Sequence, residues 1–146
     1  MSDCILPVMG DNLSTKLCSG KKLRKVIDAT CTSTSTSFRD FTFSGITAAE
    51  LKSLLIGSPI LMMACESTDY YTTVFGAAAG VTDSATSAQF YASGLNITKS
   101  NAASTGYTGS FFSVTFDTLL VRHTYSNGSR VPYGIDGTAA KFYVFN

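Results

Sequence analysis

From Phe112 to Tyr125 the chain alternates with a period of two. Phe112, Val114 and Phe116 are separated by Ser113 and Thr115, and Leu119, Val121, His123 and Tyr125 by Leu120, Arg122 and Thr124. Successive side chains of a strand point to opposite faces, so the pattern predicts two consecutive strands, each with one apolar and one mostly polar face. Asn127-Gly128 then predicts a type I′ turn, because both positions tolerate positive φ, and Arg130 to Tyr133 is expected to return antiparallel. Earlier in the chain, Ile60 to Cys65 and Tyr70 to Phe75 flank the polar Glu66-Ser67-Thr68-Asp69 and read as a hairpin. Gln89 to Ala92 and Leu95 to Lys99 read as two further strands split by Ser93-Gly94. The small, mixed stretch from Gly76 to Ser87 suits a loop or a close approach of backbones. The last strand, Lys141 to Phe145, is apolar or aromatic on both faces, which predicts burial between layers or against another subunit.

One segment carries the helical period instead. Leu51, Leu54 and Leu55 fall at i, i+3 and i+4. Thr47-Ala48-Ala49-Glu50 matches a capping box, with Ile46 and Leu51 spaced as a hydrophobic staple. Gly57 sits where a left-handed residue ends a helix, and Pro59 follows. A helix of two to three turns is marginal alone, so its expected role is to cover the face or end of a sheet. Together these segments predict a mainly β chain: an antiparallel β-sandwich or barrel of about seven to nine strands with one short capping helix near residues 48–56.

The first 37 residues read differently from the rest. Lys16, Lys21, Lys22, Arg24 and Lys25 fall within ten positions, and Thr30 to Ser37 is a Thr/Ser tract interrupted only by Cys31. Branched Thr favours extended backbone while Ser competes for backbone hydrogen bonds, so the tract is expected to be a linker or an edge strand. The organisation expected is an N-terminal docking arm and linker over 1–37, followed by a single β-rich domain over 38–146.

Composition narrows the function classes. The 146 residues include only 11 Lys/Arg and 10 Asp/Glu, 14% in all, against 38 Ser/Thr and 17 Phe/Tyr. Ordinary soluble domains are about 25% charged, and charge is what keeps surfaces apart. A chain this sparing in charge is expected to work with its surface covered by neighbours. The net charge of +1 and pI near 7.6 oppose a nucleic-acid partner, which the cationic run at Lys21 to Lys25 would otherwise suggest. That run reads instead as a solvated edge or as a patch docking on an acidic partner. The longest apolar stretches, such as Ile60 to Cys65, are far below the roughly 18 residues of a bilayer span. The first residues lack a basic stretch followed by an apolar one, so synthesis in a cytoplasm without a cleaved signal peptide is expected.

Chemistry-bearing clusters are scarce. Cys4, Cys18, Cys31 and Cys65 show no close metal-ligand spacing and are expected as buried thiols, two disulfides being the alternative. Ser19-Gly20-Lys21-Lys22 lacks the upstream Gly and the following Ser/Thr of a phosphate loop. The sole imidazole, His123, falls on an apolar strand face beside Val121 and Tyr125, where a neutral core histidine is expected rather than a base. No cofactor, metal or catalytic set is expected. In composition the chain resembles the small β-rich virion proteins of tailed bacteriophages. The resemblance implies a homo-oligomeric capsid-decoration, tail or fibre component located in the virion, a trimer being one closed symmetry open to it, with itself and other virion proteins as partners. Lys21, Lys22, Arg24 and Lys25 are the candidate docking residues, and Phe142, Tyr143 and Phe145 the candidate oligomer contact. A receptor- or glycan-binding module at a fibre tip is the alternative, with Tyr107, Tyr133 and Asn127 as candidate host-glycan contacts. A small hydrolase built on His123 is the weakest reading.

Overall fold

The computed structural model describes residues 20–35, 37–125 and 137–146, except the side chains of residues 105, 107 and 108. Eight antiparallel strands close into a barrel: β1 (Leu23–Thr34), β2 (Phe38–Ser44), β3 (Ile60–Glu66), β4 (Tyr70–Ala77), β5 (Ser87–Thr98), β6 (Ser104–Thr115), β7 (Leu120–Thr124) and β8 (Ala139–Phe145). Their order around the wall is β1-β2-β7-β6-β5-β4-β3-β8, so β1 bonds to β8 and no edge is left open. Among the described residues one helix, α1 (Ala48–Leu55), lies between β2 and β3.

The alternation read from the sequence turns its apolar set inward. Phe112, Val114, Val121 and His123 are all buried, as are Ile27, Ala29 and Cys31 on β1 and Ala140, Phe142 and Val144 on β8. Phe142 stands among aromatic edges, with ring centroids 5.8 Å from Phe41, 5.1 Å from Phe43 and 5.9 Å from Phe112. An eight-stranded barrel has an interior just wide enough for side chains to fill, and Phe41, Phe90, Phe112, Phe116 and Phe142 fill much of this one. Gly76 makes room for two of them: a Cβ there would come within 2.8 Å of both Phe112 and Phe90.

The helix forms as its cap predicts. Thr47 Oγ1 accepts from the Glu50 amide at 3.1 Å and the Glu50 carboxylate accepts from the Thr47 amide at 3.2 Å. Leu51 and Leu55 join the barrel core, so α1 closes one end.

Three expectations are corrected. Residues 23–34 are not a linker or an edge: β1 is hydrogen-bonded to β2 on one side and β8 on the other, so the barrel begins at Leu23 rather than at 38. Thr30 to Thr34 can continue an interior strand because in a closed sheet only alternate residues need be apolar, and along β1 Ile27, Ala29 and Cys31 supply them. Ser93-Gly94 does not separate two strands. It lies within the continuous β5, where the pairing with β6 slips between Ala92 and Gly94. Ser110 Oγ donates to the Ala92 carbonyl at 2.9 Å beside that bulge. Finally, β6 begins at Ser104, ahead of the Phe112 alternation that announced it. The expected Asn127-Gly128 turn and the Arg130 to Tyr133 strand lie outside the described residues.

Candidate functional site

Polar side chains come together both inside the barrel and on its wall. Inside, at the end opposite α1, Arg39 and His123 are directly paired across β2 and β7. Arg39 donates through Nη1 to the Tyr125 hydroxyl at 2.8 Å, to the Phe38 carbonyl at 3.0 Å and to the Ser35 carbonyl. The His123 ring lies 5.2 Å from Phe112 and 5.5 Å from Tyr125. Burial, reinforced by the charge of Arg39, pushes the imidazole down to about 3. A base this weak holds no proton near neutrality, and its site is packed on all sides. The expectation of a core histidine agrees with this geometry, and the cluster ties β2, β7 and the β1–β2 turn together.

The two described cysteines are also interior. Cys31 and Cys65 are both buried. Cys65 donates weakly to the Ala139 carbonyl at 3.6 Å, and burial, with Cys31 nearby, pushes its thiol up to about 12. The Cys65 thiol stays protonated and inert toward electrophiles in the folded barrel. Cys4 and Cys18 lie outside the described residues. Among the described residues no cluster of His, Cys, Asp and Glu is placed to hold a metal ion.

The wall is where the molecule meets its surroundings. Outward residues of β1, β8, β3, β4 and β5 form an apolar belt near the α1 end. Val26 stands beside Tyr143, Tyr143 beside Met62, and Met62 beside Phe75. Leu23 (51% exposed), Val26 (41%) and Tyr91 (85%) are the most open of this set. On the far wall, Asp40 and Arg122 are paired across β2 and β7 by two bonds of 2.6 and 2.9 Å, and the guanidinium lies 3.9 Å above the Phe38 ring.

The residues chosen from sequence are distributed unevenly over these places. Phe142 belongs to the barrel core, fully buried, and is not available for an oligomer contact; its parity on β8 puts it inward. Tyr143 and Phe145 point outward, half-buried, on the belt. Lys22 and Lys25 are exposed, Lys25 beside Glu50 and Leu54 of α1, whereas Lys21 donates to the Ser58 carbonyl and Arg24 to the Asn146 carbonyl at 3.0 Å. The cationic run is therefore partly spent on tying the start of β1 to Ser58 and Asn146. Asn127 and Tyr133 lie outside the described residues, and the Tyr107 side chain does too. Sequence reasoning missed Val26, Met62 and Phe75 as outward groups, because in a strand apolar on both faces the inward parity is fixed only by the register.

No helix among the described residues is long and apolar enough to cross a membrane. No protein-family model matches the chain, and neither a curated protein nor a solved structure matches it.

Proposed function

We propose that the chain is a self-assembling structural subunit, a homo-oligomeric virion component of the decoration, tail or fibre type, whose copies pack wall against wall. The observation that carries the reading is the apolar belt. A closed barrel has no free strand edge, so strand addition is not open to it and association must use side-chain surfaces. The belt runs across five adjacent strands, about half of the circumference, so Val26 and Tyr91 face away from each other. A belt that wraps half of the wall offers each copy two flanks, one at Val26 and one at Tyr91, which suits a head-to-tail contact that closes into a ring better than a single self-complementary patch. Low overall charge and the phage-like composition support the virion setting. Lys22 and Lys25, on the α1 end, are the remaining candidates for docking on an acidic partner surface.

Sedimentation velocity of the purified chain tests this. A defined oligomer is expected, and Val26→Lys combined with Tyr91→Lys is expected to shift it to monomer with an unchanged far-UV spectrum. A wild-type monomer at the highest attainable concentration overturns the reading.

A further inference from the structure

Beside the belt the same wall changes character. Moving away from α1 along the strands, the register sets Asp28 beside Lys141, Lys141 beside Ala64 and Ala64 beside Thr73. In the next row Thr30 stands beside Ala139, and Glu66 beside Tyr71. Small side chains at Thr30, Ala64, Thr73 and Ala139 make a floor between Tyr143 on one side and Tyr71 on the other. The result is a groove of ≈ 530 Å³, within the usual range for small-molecule sites of about 300–1,000 Å³.

The groove is held open by its own contacts. Lys141 bonds Asp28 at 2.7 Å, and Lys99 bonds Glu66 at 2.9 Å while its ammonium lies 4.8 Å from the Tyr71 ring centroid. Tyr71 is thereby kept from folding over the small floor, and half of it is exposed (51%).

Its chemistry selects a ligand class by elimination. An extended peptide gains affinity from main-chain bonds to a sheet edge, and this wall has none. The two carboxylates are matched by two ammonium groups, so neither an anion nor a cation finds a net opposite charge. A purely apolar ligand would strand the Asp, Glu, Lys and Thr groups around it. A polyhydroxylated ring satisfies all of them. Each carboxylate has more lone pairs than one lysine uses and can accept from sugar hydroxyls, Lys141 and the hydroxyls of Thr30 and Thr73 can donate, and tyrosine rings offer faces to C–H groups. We propose that this groove binds a neutral hexose unit of a glycan. The proposal is independent of the assembly reading, since only Tyr143 belongs to both surfaces.

The test is titration of the 15N-labelled protein with the methyl glycosides of glucose, galactose, mannose and N-acetylglucosamine, followed by amide shifts. At least one is expected to move the amides of Thr30, Ala64, Thr73 and Ala139 together. Ala139→Trp, which fills the floor, is expected to abolish those shifts, and Tyr71→Ala to weaken binding by roughly tenfold, the loss of one aromatic face. N-acetylneuraminic acid, an anion, is expected to leave the amides in place. Absence of clustered shifts with all four glycosides, persistence of binding in Ala139→Trp, or preference for the anionic sugar would each overturn the proposal, whatever the oligomeric state proves to be.

Discussion

His123 is a neutral base kept in a packed interior, and that has a consequence for acid stability. Its folded pKa, about 3, lies below the ordinary value of 6.5. Between these two values the unfolded chain holds a proton that the folded chain does not, so lowering the pH favours unfolding. The stability is fully present above about pH 6.5 and declines toward pH 3, by up to about 1.4 kcal/mol per pH unit from this group. Urea unfolding of the wild type and of His123→Gln at a series of pH values checks it: the wild-type curve should be steeper in this window, and parallel curves would rule it out. Gly94 carries a second residue-scale prediction. A Cβ at that position would lie 2.3 Å from the Thr73 carbonyl and 2.8 Å from the Val74 Cα, both backbone atoms that must move. Gly94→Ala should therefore cost about 2–3 kcal/mol. Gly106→Ala, whose Cβ would meet the Gly94 carbonyl at an ordinary 3.9 Å, is the control expected within about 0.5 kcal/mol of wild type. Equal urea midpoints for the two variants would contradict the close approach.

At the scale of elements, α1 shows what was and was not legible in the chain. Its start was written locally: the Thr47 and Glu50 side chains close the capping box within four residues. Its end was not. Gly57 does take a positive φ of 98°, but Ile56 before it is already extended, so the helix does not end in a left-handed turn. The carbonyls are met from the far end of the chain instead, where Asn146 Nδ2 donates to Leu54 at 3.0 Å and to Ile56 at 2.7 Å. Such a cap spans some ninety residues, and no local pattern announces it. The same distinction runs through the sheet. Strand periodicity in β7 and in the Phe112 part of β6 was readable, whereas the bulge in β5 and the closure of β1 onto β8 depend on which strands become neighbours. The wall groove was invisible for that reason, since its floor draws on four strands from both ends of the sequence. Asn146→Ala should lower stability by about 1–3 kcal/mol by leaving two helix carbonyls unmet. Asn146→Asp should lose more, because a carboxylate only accepts and would face those carbonyls. Urea midpoints of the two variants, with unchanged slope, check the order.

For the molecule as a whole, closure of the sheet decides how it opens. Cys31 on β1 and Cys65 on β3 lie on the two strands that flank β8, and both are buried. An open sheet can fray from an edge strand, exposing one side of such a pair before the other. Here each strand is held on both sides and the interior is filled by shared aromatic side chains, so removing one strand breaks two ladders and uncovers the core at once. Burial also holds the Cys65 thiol up to about 12, which leaves almost no thiolate near pH 8 until the barrel opens and the value returns toward its ordinary range. With Cys4 and Cys18 replaced by Ser, a disulfide reagent such as DTNB should therefore label Cys31 and Cys65 together, in one phase. The rate should rise with urea in step with the loss of near-UV circular dichroism. Labelling of either thiol on mixing, while the spectrum stays native, would show that the wall opens strand by strand and that its closure does not make the barrel a single cooperative unit.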